Sequence, residues 1–213
     1  MLPFTHEEFV AVFTGYNAVI WPVQAGAMAL GVLLFALAWW RPARAGRVLA
    51  AGLAAMWAWT GIVYHAMFFA AINPAAWGFA ALFLGQALLL LWTGVLRDRL
   101  AFAVTADARG LAGLALVVYA LALYPLVGLA LGQPPRELPW FGVTPCPLTL
   151  FTLGLLLLTT GRPPWALFVV PVLWSLIGGT AAFLLAVPQD WPLLFGGLAA
   201  LALVAAQGRR RVS

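Results

Sequence analysis

RPARAGR (41–47), then VLAAGLAAMWAWTGIVYHAMFFAAI (48–72), then Asn73-Pro74, is the stretch on which the fold turns. Residues 48–72 hold no Asp, Glu, Lys or Arg. A helix needs roughly 20 apolar residues, at about 1.5 Å each, to cross about 30 Å of hydrocarbon. Three arginines stand at one end of this run and an Asn-Pro pair at the other. Arginine gathers on the cytoplasmic side of membrane helices, so the run reads as a span rising from Arg47 inside to Asn73 outside. Asn73 suits an N-cap and Pro74 a first helical position, which opens the next helix in the opposite direction.

Working outward, the same punctuation divides the chain into seven apolar spans, at about 18–40, 48–72, 75–96, 110–132, 146–161, 165–186 and 191–207. The fifth and seventh are short. Alternating the spans puts Arg41, Arg44, Arg47, Arg97, Arg99, Arg109, Arg162, Arg209, Arg210 and Arg211 on one side and Arg136 alone on the other. Ten against one orients the chain, with the amino terminus outside and the carboxy terminus cytoplasmic. Glu7, Glu8, Glu137 and Asp190 then fall outside, and Asp98 and Asp107 inside. The expected fold is an all-α polytopic membrane bundle forming a single transmembrane domain over 1–213. Before the first span, Thr5 and Glu8 form a capping box. Phe9, Val12, Phe13 and Tyr16 follow at helical spacing, so 5–16 reads as an interfacial helix or a prolongation of the first span.

Composition agrees and excludes much else. Of 213 residues 65% are hydrophobic and 8% charged, where a soluble globule carries about 25% charged residues. Mean hydropathy is +1.02. The net charge of +5 comes from arginines assigned to cytoplasmic loops, so it does not point to nucleic acid. The chain has no lysine, which excludes retinal or pyridoxal Schiff bases, and a single cysteine, which excludes an internal disulfide or a CxxC pair. No GxxxxGK[ST], HExxH or GxSxG motif is present. The opening MLPFTHEEF carries two acids where a leader has a basic region, so a cleavable signal is not expected. Most tryptophans sit near span ends, as an aromatic belt does. With no internal repeat, an inverted-repeat transporter is not supported.

Polar residues inside spans are costly and face a bundle interior or cavity. His65 is the one titratable group well inside the bilayer. An unpaired imidazole there would be costly, so it is expected to meet a polar group from the fifth or sixth span. A buried histidine, a proton relay, or a metal, haem or quinone contact all fit. Gln86 lies near the bilayer centre and must find partners for its amide. Asn17, Trp21-Pro22 and Gln24 repeat the theme in the first span, with the proline freeing a backbone carbonyl. Gly178-Gly179, beside Ser175 and Thr180, permits close helix packing. The densest signal is FGVTPCPLTLFT (141–152). Thr144 can cap, Pro145 fits the first helical position, and Cys146 then sits in the first turn at the positive end of the helix dipole. Thiols so placed serve as nucleophiles or soft-metal ligands. Thr149 and Thr152 continue down that side.

Tyr16-Asn17 and Trp21-Pro22, YHxxFFxxINPAxxxFxxxFxxQ (64–86), FGxTPCPxTxFTxG (141–154) and PxxWSxIGG (171–179) together resemble a bacterial multi-pass membrane family catalogued only as a domain of unknown function. The resemblance covers most of the chain and implies an inner-membrane protein of this size. It brings no activity or ligand with it.

The expected pocket therefore comprises Asn17, His65, Asn73, Gln86, Thr144, Cys146, Thr149, Thr152, Ser175 and Asp190, polar and open to the periplasm. His65 and Cys146 are its candidate metal ligands. The first reading is binding, sensing or transport of a small solute or soft metal ion. A non-enzymatic subunit of a larger membrane complex, or a homo-oligomer, is the second. The third is an enzyme, or a haem or quinone protein, using His65 and Cys146. No cofactor is required by the sequence, and enzymatic activity is the less favoured class.

Overall fold

The computed structural model describes residues 3–41, 43–161 and 164–209. Arg162, Arg210 and Arg211 of the basic side lie outside them. Among the described residues the chain is all-helical, with no strand and one isolated bridge between Phe102 and Thr159. Six helices are long and apolar enough to cross a membrane: Val23–Trp40, Ala45–Ala71, Ala76–Leu96, Ala108–Ala130, Ala166–Leu184 and Pro188–Ala206. This is the make-up of a multi-pass membrane protein. Large apolar side chains such as Val19, Leu88, Leu96 and Phe195 are exposed on its outside, as lipid contact requires.

The helix α1 (His6–Ile20) is an element of its own, begun by the Thr5–Glu8 capping box in both directions. Pro22 has no N–H to continue it, and α2 (Val23–Trp40) starts afresh beyond the Trp21–Pro22 cis peptide. Near the end of α1 the Asn17 carbonyl accepts from the Gln24 amide at 2.9 Å. The helix α3 (Ala45–Trp59) runs on as a π-helix (Thr60–Phe68) and a 3-10 turn (Phe69–Ala71). A sharp turn leads to α4 (Ala76–Leu90), which ends in a π segment, Leu91–Leu96. The pair α5 (Ala108–Val118) and α6 (Tyr124–Ala130) is one rod joined by a π turn, Tyr119–Leu123, just before Pro125. The extra residue in a π turn absorbs the hydrogen bond that this proline cannot make.

The helix α7 (Pro145–Leu157) is the centre of the molecule. At 13 residues it is about 20 Å long, too short to cross hydrocarbon unaided. Every residue in it except Cys146 is fully buried, within a ring that includes α3, α5, α8 (Ala166–Leu184) and α9 (Trp191–Arg209). Irregular chain closes both of its ends, which is tolerated at depth only inside protein. The segment 138–144 covers the start, with Leu138, Phe141 and Val143 buried. At the other end Ala103 N–H donates to the Leu158 carbonyl and Thr160 N–H to Ala101. The Arg109 guanidinium donates to the carbonyls of Leu156, Thr159 and Gly161 and to the Thr159 hydroxyl. A helix leaves its last four carbonyls without intrahelical donors; here the Leu158 and Thr159 N–H groups take those of Gly154, Leu155 and Leu156, and the buried arginine adds a donor to Leu156 and satisfies the turn beyond.

Glycine permits a close approach between α5 and α7. A Cβ on Gly113 or on Gly154 would come within 2.8 Å of the other's carbonyl oxygen. The two ends of the bundle differ in chemistry. Arg41, Arg44, Arg47, Arg97, Arg99 and Arg109 gather at one, around the 97–107 segment and the Arg47–Asp98 ion pair. At the opposite end lie α1, the Asn73 turn, the start of α7 and Asp190.

Candidate functional site

A cavity of about 450 Å³ opens at the end away from the arginines. Its near wall is the apolar side of α1 and the residues before it, with Phe4, Phe9 and Phe13. Across from these stand Tyr64 and Phe69 from the continuation of α3, Phe79 from α4, and Trp174 and Ile177 from α8. The rings pack on one another: Phe4 meets Phe69 edge-on at 5.4 Å, Phe13 stacks on Tyr64 at 5.6 Å, and Phe79 meets Trp174 at 5.2 Å. A hydrogen bond between His6 Nδ1 and the Leu185 carbonyl, 2.9 Å, ties the start of α1 to the end of α8 across the mouth. The walls are thus mostly apolar, not polar as the sequence suggested, and side-chain polarity is confined to Tyr64, Asn73, Cys146, Thr180, Asp190 and the indole N–H of Trp174.

Asp190 closes the 3-10 turn Pro188–Asp190 that leads into α9. Its side chain is buried, and Tyr124 of α6 donates its hydroxyl to Oδ1. The Cys146 thiol lies beside the same carboxyl group, while the buried indole N–H of Trp174 has no hydrogen-bond partner. The ion pairs among the described residues are Arg47–Asp98 and Arg136–Glu137. Asp190 therefore has hydroxyl and thiol neighbours but no cation.

Of the sequence-derived pocket residues, the structure brings Asn73, Cys146 and Asp190 together on this cavity. Asn73 is not the cap of α4, since the helix starts two residues later than the Asn-Pro reading puts it. Its Oδ1 accepts from Ala75 N–H in a tight turn. Thr144 flanks α7 but does not cap it, because its hydroxyl donates to the Trp140 carbonyl at 2.7 Å. Little capping is needed there. Two of the first four residues, Pro145 and Pro147, carry no N–H, so the turn that holds Cys146 offers two free donors instead of four.

The others serve the bundle. Asn17 donates to the carbonyls of Arg136 and Leu138 and so pins the 135–138 segment to α1. Thr152 accepts from the Trp57 indole, and Ser175 donates to Val172 within its own helix. Thr149 is buried with its hydroxyl unpartnered. Gln86 donates to the Leu167 carbonyl at 3.0 Å. That carbonyl is free because Pro171, four residues on, has no N–H to give it. Both residues were visible in the sequence, but not their pairing.

His65 departs from expectation. It is fully buried, and neither ring nitrogen has a hydrogen-bond partner. Its neighbours are the rings of Phe83 at 4.6 Å, Trp174 at 5.0 Å, Tyr64 at 5.1 Å and Phe79 at 5.7 Å. Helix α8 does supply a neighbour, but it is an indole face and not a polar atom. Lying in the π-helical turn, His65 backs the cavity wall through Trp174 and Phe79 and does not line it. Trp174 packs on His65 at 5.0 Å, and neither His65 nitrogen has a hydrogen-bond partner. No three His, Cys, Asp or Glu side chains converge on one point among the described residues.

Sequence reasoning missed Tyr124 and Trp174. Tyr124 carried a signal, as a hydroxyl-bearing ring beside a proline in the middle of a span. Trp174 stands in the quoted PxxWSxIGG motif, in mid-span and away from the belt positions, and it is buried. Trp21, Trp77 and Trp191 are exposed near the cavity end, and Trp39, Trp40, Trp92 and Trp165 near the arginine end.

A protein-family model described as "Family of unknown function (DUF6064)" matches residues 6–212. No curated protein and no solved structure is detectably similar to the chain.

Proposed function

The chain belongs to DUF6064, a family of unknown function, and from its own geometry we propose that it is a bacterial inner-membrane protein that binds a small solute, for sensing or transport. The solute enters from the periplasm. The observation that carries this reading is the cavity of about 450 Å³, within the roughly 300–1,000 Å³ of small-molecule sites. It is apolar with a few convergent polar groups, as such sites are, and it lies at the end away from the arginines. By the positive-inside bias that end faces the periplasm. In this reading the short helix α7 counts as a seventh crossing, its length made up by the loops folded over its two ends, with the amino terminus outside and the carboxy terminus in the cytoplasm.

Cavity filling tests the reading. Ile177 lines the cavity from α8, and Ile177→Trp would fill part of it. Solutes that raise the melting temperature of the detergent-purified wild type should lose that effect on the variant. A density map of the purified protein with the cavity collapsed onto its own side chains would refute the proposal. Alkaline phosphatase fused after Gln189 should be active and after Arg162 inactive, and the reverse pattern would overturn the orientation.

A second reading, assembly with another copy or a membrane partner, is favoured by one feature of α4. Gly78 and Gly85 have nothing packed within 4 Å of where a Cβ would stand, and exposed Ala81 lies between them. Small residues at such spacing let helices approach closely in lipid. Replacing both glycines by leucine should then shift the oligomeric state measured by native mass spectrometry, and an unchanged state would dismiss it.

A further inference from the structure

We infer that the cavity takes an organic cation, an ammonium group carried on a small apolar body, with Asp190 as its counter-ion. This rests on the reading that the cavity binds a solute, and adds the solute's chemical class. Asp190 is 5% exposed, and one of its oxygens is held by Tyr124. An ionised carboxylate in an apolar wall is costly unless a positive charge meets it. No ion pair among the described residues supplies it. Arg41, Arg44, Arg47, Arg97, Arg99 and Arg109 are at the far end, and Arg136, at this end, is exposed and paired to Glu137. The missing charge is what a ligand would bring.

The walls agree with that sign. Aromatic faces attract a cation within about 6 Å of the ring centroid, and Phe13, Tyr64, Phe69, Phe79 and Trp174 all border the same space as Asp190. An anion would meet the carboxylate and the electron-rich faces together and be repelled by both. A bare metal ion needs several oxygen, nitrogen or sulfur ligands. Asp190 and Cys146 are the only acidic or thiol groups on this cavity among the described residues, and no third His, Cys, Asp or Glu side chain joins them. Volume points the same way, since the cavity suits a ring and a short chain better than a naked ion. Glu7 and Glu8, in the first turn of the helix that forms the near wall, bias the mouth toward cations by long-range attraction.

Three near-isosteric probes separate charge from shape: 2-phenylethylammonium, 2-phenylethanol and phenylacetate, titrated calorimetrically at pH 7 into the full chain in nanodiscs of zwitterionic lipid. The ammonium should bind at least tenfold more tightly than the alcohol, and phenylacetate not at all. Asp190→Asn should bring the ammonium down to the alcohol's affinity and leave the alcohol unchanged. Should that variant fail to fold, the wild-type ratio of ammonium to alcohol stands as the test, with Asp190→Glu expected to keep the preference. Equal binding of ammonium and alcohol, or an Asp190→Asn variant that keeps the preference, overturns the cation inference and leaves the solute-binding cavity standing. Binding of none of the three by the wild type overturns the inference. If Ile177→Trp then changes no solute's effect on melting, the cavity reading falls with it.

Discussion

Gln86 and Pro171 form a pair that can be tested by a double-mutant cycle. The Gln86 amide donates to the Leu167 carbonyl at 3.0 Å, and that carbonyl is free only because residue 171 is proline. Gln86→Leu has two opposed effects. It strands the carbonyl, at a cost of about 1–3 kcal/mol for a buried polar group. It also removes Gln86 Oε1, which is buried without a partner and whose loss returns a similar amount. The single variant should therefore change stability little. In a Pro171→Ala background residue 171 regains its N–H, the carbonyl is satisfied by its own helix, and Gln86→Leu keeps only the favourable part. The difference between the two backgrounds isolates the carbonyl. Side-chain hydrogen bonds between membrane helices average about 0.6 and reach about 1.7 kcal/mol. A coupling of about 1 kcal/mol is expected, roughly a fivefold change in the folded ratio. Unfolding by SDS in mixed micelles, followed by far-ultraviolet circular dichroism, measures all four corners. A coupling within about 0.3 kcal/mol of zero, the level at which independent sites add, would refute the pairing.

Arg109→Met should destabilise the bundle by about 3 kcal/mol, because the carbonyls of Leu156, Thr159 and Gly161 lose a charged donor. Arg109→Lys should recover part of this in the same unfolding assay, and a neutral Met variant would show the contacts to be idle. Gly154→Leu should separate α5 from α7 and cost about 1–3 kcal/mol by overpacking. Full stability in that variant would contradict the close approach. Tyr16 is buried, donates to the Val143 carbonyl and accepts from the Trp59 indole. Burial raises its pKa above the ordinary value of about 10, and the Trp59 bond offsets this only partly. A phenol whose folded pKa is raised contributes stability that is complete below the unfolded pKa and is lost as pH rises toward the folded one. The alkaline absorbance difference between wild type and Tyr16→Phe should accordingly titrate well above pH 10, and titration at the free value would refute the burial.

Hydropathy and charge are sums over neighbouring residues, so they survive without knowledge of the fold. They sufficed for a helical membrane protein, for arginines gathered toward one end, and for the capping box at Thr5 and Glu8, whereas the first span expected at 18–40 is broken at Trp21-Pro22, between α1 and α2. Local chemistry also showed which polar groups would need partners, Gln24 and Gln86 among them. It could not name those partners, because Gln86 and Leu167 are far apart in the chain and Tyr124 meets Asp190 across 66 residues. Caps proved legible only in part. Thr144 and Asn73 have the right side chains, but each found a nearer hydrogen bond, to Trp140 and to Ala75.

The sequence by itself determined the solvent of this protein and the polarity of its two ends, since both depend on how many residues of each kind stand in a row. Tertiary structure alone decided that α7 lies at the centre and that α1 with Phe9 and Phe13 walls a cavity. It also decided that His65 sits among rings while Asp190 faces open space. The physical reason is that a span's apolar residues look alike toward lipid and toward protein. Which of them are covered, and by what, depends on contacts between helices that composition does not encode.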